Sequence, residues 1–288
     1  MPSGEGIAFP NIQDKGENSL KKKSRRKWVG ILLCTASMVL LLQWLYIGYR
    51  YSFGPFHTLG NLRLAGLAGN AERYRMQYVE ERKDSPYRGK KILFLGSSVT
   101  YGAGSLGEGI PEYFAARFGA KVTKEAVSGT TLTDDSRTSY VHRLQTKVDP
   151  STPYSLVVIQ LSTNDASRKK PLGEIAESRN REDFDKRTIT GAIETCIAYA
   201  EETWNCPVVF YTGSRYDSSE YGAMVERLEQ LQKKWDIDVL DLWSDEAFNN
   251  ISDAERKLYM TDDIHPTRAG YREWWCPEME RQLWNNRK

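Results

Sequence analysis

The chain has 288 residues, with 40 Lys and Arg against 38 Asp and Glu, a formal charge of +2. That near balance excludes a nucleic-acid binder driven by bulk electrostatics. A 40% hydrophobic and 27% charged composition with a mean hydropathy of −0.57 excludes a multi-span membrane protein and a largely disordered chain, and four cysteines are too sparse for a disulfide-built scaffold.

These averages conceal an uneven chain. Residues 1–27 hold seven basic and three acidic side chains, so a net +4 sits in the tail and −2 is left for everything after it. Residues 28–49 then run for 22 positions without a charge. At ~1.5 Å rise per residue, a helix of that length matches the hydrocarbon thickness of a bilayer. Trp28 at one end and Trp44, Tyr46 and Tyr49 at the other suit the two interfaces. A cleaved signal peptide needs small residues after its apolar run, and this run ends in bulky ones, Trp44-Leu45-Tyr46-Ile47. Six cations within residues 21–27 predict a cytoplasmic N-terminus by the positive-inside rule. The expected organisation is therefore a cytoplasmic tail (1–27), a signal anchor (28–49), a juxtamembrane stalk (50–89) and an extracytoplasmic domain (90–288). Within the stalk, Leu64, Leu67, Ala71, Tyr74 and Tyr78 fall on one helical face, which predicts a single helix over 62–82.

From residue 90 strand-like and helix-like stretches alternate. Strands are predicted at 91–95, 121–126, 155–161, 207–212 and 237–242, with helices at 111–118, 140–147, 188–204 and 220–235. The third and fourth strands are nearly continuous apolar runs, as parallel strands buried on both faces are. The alternation predicts an α/β fold with a parallel sheet, whose ligands bind outside the carboxyl ends of the strands.

The residues at those ends carry chemistry. Gly96-Ser97-Ser98-Val99-Thr100-Tyr101-Gly102 follows the first strand, Ser128-Gly129-Thr130 the second, Ser162-Thr163-Asn164-Asp165 the third, and Asp262-Asp263-Ile264-His265-Pro266 lies beyond the fifth. A serine hydroxyl needs a neighbouring base to act as a nucleophile. Of the three histidines, His57 falls in the stalk, and His142 falls in a predicted helix as a partly exposed residue. His265 follows Asp262 by three positions and precedes a proline, which biases it towards an extended backbone and can open a helix. Asp262 is then placed to fix the imidazole tautomer. The backbone N–H groups of Ser98 and Gly129 and the amide of Asn164 are candidate oxyanion donors.

Four such blocks in this order resemble the SGNH (GDSL-type) hydrolase superfamily: GSSVTYG with Ser98, AVSGTTL with Gly129, QLSTND with Asn164, and DDIHPTRAGY with Asp262 and His265. The resemblance covers roughly residues 90–288. It implies a flavodoxin-like three-layer α/β/α sandwich with five parallel strands. It also implies a serine esterase with a Ser98–His265–Asp262 triad and an oxyanion hole of Ser98, Gly129 and Asn164, needing neither metal nor organic cofactor. Family tendency points to short-chain acyl esters of an extracytoplasmic glycan, envelope polymer or lipid. Two departures stand out: Ser97 replaces the family's aspartate and Ser162 a glycine, which is expected to reshape the pocket around the acyl chain. Asp165 and the charged segment 167–186 are expected at the pocket mouth, with a plain solvated loop as the alternative for the segment.

Three other readings compete. Gly102-Ala103-Gly104-Ser105-Leu106-Gly107 matches a dinucleotide fingerprint and Glu125 ends the next strand, but six residues separate the motif from its strand and no helix pattern starts there. An acyltransferase would use the same acyl-enzyme. A catalytically inactive binding module is disfavoured by the intact catalytic set. Cys196 and Cys206 fall in one αβ unit, either as a disulfide in an oxidising compartment or as two small buried residues. Tyr271, Trp275, Met279 and Leu283 are read as core, in a last helix that Pro277 kinks or splits.

Overall fold

A computed structural model describes residues 12–51 and 54–285. The chain divides into two units, Met1–Arg63 and Leu64–Lys288. The first is dominated by one 40-residue helix, α1 (Ile12–Tyr51). Its segment Lys27–Arg50 contains an 18-residue window with a mean hydropathy of 1.9, none of that window buried, so it is long and apolar enough to cross a membrane or to serve as a signal sequence. Behind it, the His57 ring Nδ1 lies 3.0 Å from the Gly54 carbonyl in a local turn.

The second unit begins earlier than the predicted stalk boundary. In place of one helix over 62–82 there is a short helix, α2 (Leu59–Ala65), and three 3₁₀ turns at Ala68–Asn70, Glu72–Tyr74 and Met76–Tyr78. Leu67, Ala71 and Arg75 each take extended or near-extended backbone before the next turn, so no continuous ladder forms. What the helical pattern had suggested as one apolar stripe is instead pinned residue by residue. Leu64, Asn70, Tyr74 and Met76 are buried, whereas Tyr78 stays exposed. Residues 64–89 thus belong to the globular unit.

That unit is built on five strands, β1 (Lys91–Gly96), β2 (Lys121–Ala126), β3 (Leu156–Gln160), β4 (Val208–Tyr211) and β5 (Ile237–Leu240), all parallel in the order β2-β1-β3-β4-β5. The helices are α3 (Ser98–Tyr101), α4 (Ile110–Phe118), α5 (Tyr140–Thr146), α6 (Thr163–Ser167), α7 (Ile189–Trp204), α8 (Ser219–Gln232), α9 (Glu246–Asn249), α10 (Asp253–Tyr259) and α11 (Cys276–Asn285). Because side chains alternate along a strand, the central strands feed two cores. Leu93, Leu95, Val157, Ile159, Val208 and Phe210 pack under α5, α7 and α8. Ile92, Phe94, Leu156, Val158, Val209 and Tyr211 pack under α4 and α11. This is the three-layer α/β/α sandwich, with its chain reversal between β1 and β3, where such sheets open a crevice.

The last helix is split as Pro277 predicts: a π-helical turn over Gly270–Trp275 passes into α11. Tyr271, Trp275, Met279 and Leu283 are fully buried. Cys196 and Cys206 are free thiols, the first buried in α7, and burial pushes its thiol up to about 12. The disulfide reading is thereby replaced by the packing one.

Candidate active site

The first functional turn starts where β1 runs out. Gly96 and Ser97 lead into α3, a single turn that opens at Ser98 and stops at Gly102. The turn is held from the neighbouring strand by Gln160, the last residue of β3. Its side-chain oxygen accepts from the Ser97 N–H at 2.9 Å, the Thr100 N–H at 3.2 Å and the Thr100 hydroxyl at 2.9 Å. Its amide nitrogen donates to Ser97 Oγ at 3.1 Å. A polar residue ending an otherwise apolar strand was the available signal for this role, and sequence reasoning passed over it. Gln160→Leu strands two buried backbone N–H groups at about 1–3 kcal/mol each. The expected result is a melting temperature lower by at least about 5 °C, read by differential scanning calorimetry.

Ser98 is 8% exposed. Its Oγ lies 2.7 Å from His265 Nε2, and His265 Nδ1 lies 2.9 and 3.0 Å from the two carboxylate oxygens of Asp262. The three residues that the sequence picked are therefore one continuous hydrogen-bonded chain. A loop with closed ends carries the latter two. Met260 pairs antiparallel with Pro266, and the Thr261 N–H donates to the His265 carbonyl at 2.9 Å. Pro266 does not open the helix as predicted; Thr267 does the capping, its Oγ1 accepting from the Gly270 N–H at 3.1 Å. Asp262 Oδ1 also accepts from the backbone N–H groups of Ile264 and His265 at 2.9 and 2.8 Å. Burial pushes the Asp262 carboxyl up, but the hydrogen bond and charge of His265 and these two N–H groups outweigh it and hold the pKa at about 2. The carboxylate is thus an anion facing Nδ1, which requires the proton on that nitrogen and leaves Nε2 to accept from the serine hydroxyl.

Two more blocks close the crevice. Gly129 has φ +77° in the turn after β2, and the side a Cβ would occupy is open space. Among the described residues, neither the Ser98 nor the Gly129 N–H has a hydrogen-bond partner. Asn164, in the first turn of α6, donates from Nδ2 to Ser97 Oγ at 3.2 Å and to the Thr130 carbonyl at 3.0 Å. Backbone N–H groups and a side-chain amide are the donor types that stabilise a developing oxyanion.

Two site expectations change. Asp165 is not at a pocket mouth. It is fully buried, and its carboxylate accepts from the Leu132 N–H at 2.6 Å and the Thr133 N–H at 3.1 Å, fixing the loop that carries Gly129. Ser97 is likewise fully buried, bonded to Gln160 and Asn164, so it orients the Asn164 amide and does not line a pocket. The segment 167–186 meets the site at its start, where Arg168 Nη2 donates to the Gly129 carbonyl at 2.7 Å, and further on it packs against α7, with Phe184 buried and the Ala176 N–H on Glu194. The glycine-rich stretch 102–107 opens no helix, since α4 starts at Ile110. Glu125 pairs with Arg143 at 2.9 Å. Neither has the strand–turn–helix arrangement of a dinucleotide fingerprint. Gly104 instead lets the chain approach the histidine loop, because a Cβ there would sit 2.6 Å from the Pro266 carbonyl oxygen and 3.1 Å from His265 Cβ.

The model of the GDSL-like lipase/acylhydrolase family matches residues 94–273. No curated protein matches the chain. Among solved structures, a protein from Lactobacillus plantarum is similar with TM-score 0.55 and 19% identity, over 68% of this chain and 97% of that one. One from Desulfitobacterium hafniense DCB-2, described as lipolytic and of the G-D-S-L family, has TM-score 0.51 and 17% identity, over 67% of this chain and 99% of that one. At these identities the structures share the fold. The matched segment covers all four site blocks and, except for the first three residues of β1, every strand, and the chain belongs to the GDSL-like lipase/acylhydrolase family, an enzyme acting on ester bonds.

Proposed function

We propose that the protein is a membrane-tethered serine esterase that removes short acyl groups from an extracytoplasmic glycan, envelope polymer or lipid. The observation that carries this reading is the 2.7 Å contact between Ser98 Oγ and His265 Nε2, backed by Asp262 on the other ring nitrogen. In the proposed cycle His265 takes the serine proton as Ser98 attacks the ester carbonyl. The Ser98 and Gly129 N–H groups and the Asn164 amide hold the oxyanion, which displaces the longer of the two Asn164 contacts, that to Ser97. His265 then protonates the leaving alcohol, and a water molecule repeats the sequence on the acyl-enzyme. No residue is assigned to a metal or organic cofactor.

The short-chain part is supported by a small recess at the carboxyl end of the sheet, which Ser98, Asp262 and His265 do not themselves line. Its walls include Val99, Thr163 and Ile264, the sequence neighbours of Ser98, Asn164 and His265, and its free volume is about 10 Å³. A space of that size takes about one water or one methyl-sized group. The tether is supported by the length and composition of Lys27–Arg50 and by the basic residues before it. On this reading residues 1–27 are cytoplasmic and the unit from Leu64 is outside.

The test is turnover of p-nitrophenyl acetate, butyrate and octanoate and of acetylated polysaccharides by the full-length protein in detergent. Acetate is expected to exceed octanoate in kcat/KM by at least about 10-fold, since forcing a longer chain against packed walls costs roughly 1–3 kcal/mol. Equal rates on all three esters would remove the short-chain assignment. Transfer of acetyl to added polysaccharide in place of water would make the enzyme a transferase. Protease protection in sealed vesicles reports the orientation.

A further inference from the structure

We propose that Asn70, which lies outside the family-matched segment, is a positioning residue for His265. This rests on the reading of Ser98 and His265 as the reacting pair. Asn70 is 2% exposed. Its Nδ2 donates to the Gly104 carbonyl at 2.9 Å and the Leu64 carbonyl at 3.0 Å, and its Oδ1 accepts from the Arg268 N–H at 2.9 Å. Both ends of the amide are thus matched to partners of opposite type, and neither a carboxylate nor an apolar side chain meets all three.

Two of the three partners, Gly104 and Arg268, adjoin the histidine loop. Gly104 is the residue against which Pro266 and His265 Cβ pack. Arg268 begins the helical turn two residues after Pro266 and returns the grip, its Nη1 donating to the Asn70 carbonyl at 3.0 Å. Next to Asn70, Gly69 lies flat on the base of the same loop, where a Cβ would fall 1.9 Å from the Leu258 carbonyl oxygen and 2.4 Å from Thr267 Oγ1. The clasp is anchored by Glu108. Its carboxylate accepts from Arg75 at 2.9 Å, from Arg268 at 3.0 Å and from the Met76 N–H at 2.9 Å. Residues 69–76 therefore hold the loop from below while Gly104 holds it from the side. The 2.7 Å reach from His265 Nε2 to Ser98 depends on that loop staying put. Buried amide networks of this kind fix one geometry when every member is satisfied.

The experiment uses full-length protein in detergent and compares wild type, Asn70→Ala, Asn70→Asp, His265→Ala and the Asn70→Ala/His265→Ala double variant. It reads kcat and KM for p-nitrophenyl acetate, the rate of Ser98 labelling by a small fluorophosphonate, and the melting temperature. Asn70→Ala is expected to lower kcat and the labelling rate by at least about 10-fold with KM within about twofold, because small misplacements of a base are costly. Added to His265→Ala, the same change should alter the residual rate by less than about twofold, as expected when two residues act through one step. Asn70→Asp keeps the acceptor for Arg268 but loses the donor to Gly104. It carries the test if the alanine variant does not fold, and the same loss of kcat is expected. Wild-type kcat in the variants, or an equal loss with and without His265, overturns the proposal. Absence of both turnover and labelling in wild type would instead overturn the underlying assignment of Ser98 and His265.

Discussion

Ser98→Ala is expected to lower kcat/KM for a carboxylic ester by at least about 10³-fold, with the residual rate supplied by binding and oxyanion donors alone. The expectation follows from how little else the hydroxyl does. Its hydrogen-bond partner among the described residues is His265 Nε2, so removing it costs no structural contact, and the melting temperature should stay close to that of wild type. His265→Ala should cost a comparable factor. The Ser98→Ala/His265→Ala double variant should be no worse than either single one, since nucleophile and base serve one step. Steady-state rates with p-nitrophenyl acetate and a thermal melt on the same samples decide the matter. A multiplicative double variant would mean that the two side chains act independently, contrary to their contact.

Asp262→Asn is the second large effect, expected at about 10³- to 10⁴-fold in kcat with the fold intact. The carboxylate accepts from His265 Nδ1, which fixes the proton there and frees Nε2 for the serine. An amide turned to donate its own N–H to that nitrogen would stabilise the opposite tautomer. The pH dependence has a definite sign. The folded pKa of Asp262 is held at about 2, below the value of ~3.9 for an unfolded aspartate. A depressed carboxyl contributes stability that is fully present above the unfolded value and is lost as pH falls through the folded one. The melting-temperature advantage of wild type over Asp262→Asn should therefore shrink as the pH falls from about 4 to about 2. Because the side chain is more than half exposed, solvent screening keeps that advantage modest. An advantage that grows as the pH falls from about 4 to about 2 would reverse the assignment of Asp262 as the anion facing the ring.

Much of this was legible in the sequence for identifiable reasons. The runs SLVVIQL and PVVFYT are apolar because both faces of β3 and β4 are covered, so their positions come from composition alone. The four polar blocks could be placed at one sheet edge because parallel strands all end on the same side. What escaped was long-range. Nothing local marks Asn70, Glu108 or Arg268 as partners, since Asn70 and Arg268 are separated by 198 positions. The predicted helix over 62–82 failed for a related reason: its apolar spacing was real, but burial of Leu64, Tyr74 and Met76 on the globular unit outweighed helical propensity. Asp165 was misplaced because a charged residue in a catalytic block reads as exposed. Here two backbone N–H groups compensate its burial.

Covalent trapping decides whether Ser98 is the nucleophile activated by His265. Full-length protein treated with a fluorophosphonate is digested, and the adduct is located by peptide mass spectrometry. One adduct is expected, on Ser98, absent in Ser98→Ala and strongly slowed in His265→Ala. An esterase-active protein that carries its adduct on another residue, or that hydrolyses esters equally well as Ser98→Ala, would contradict it.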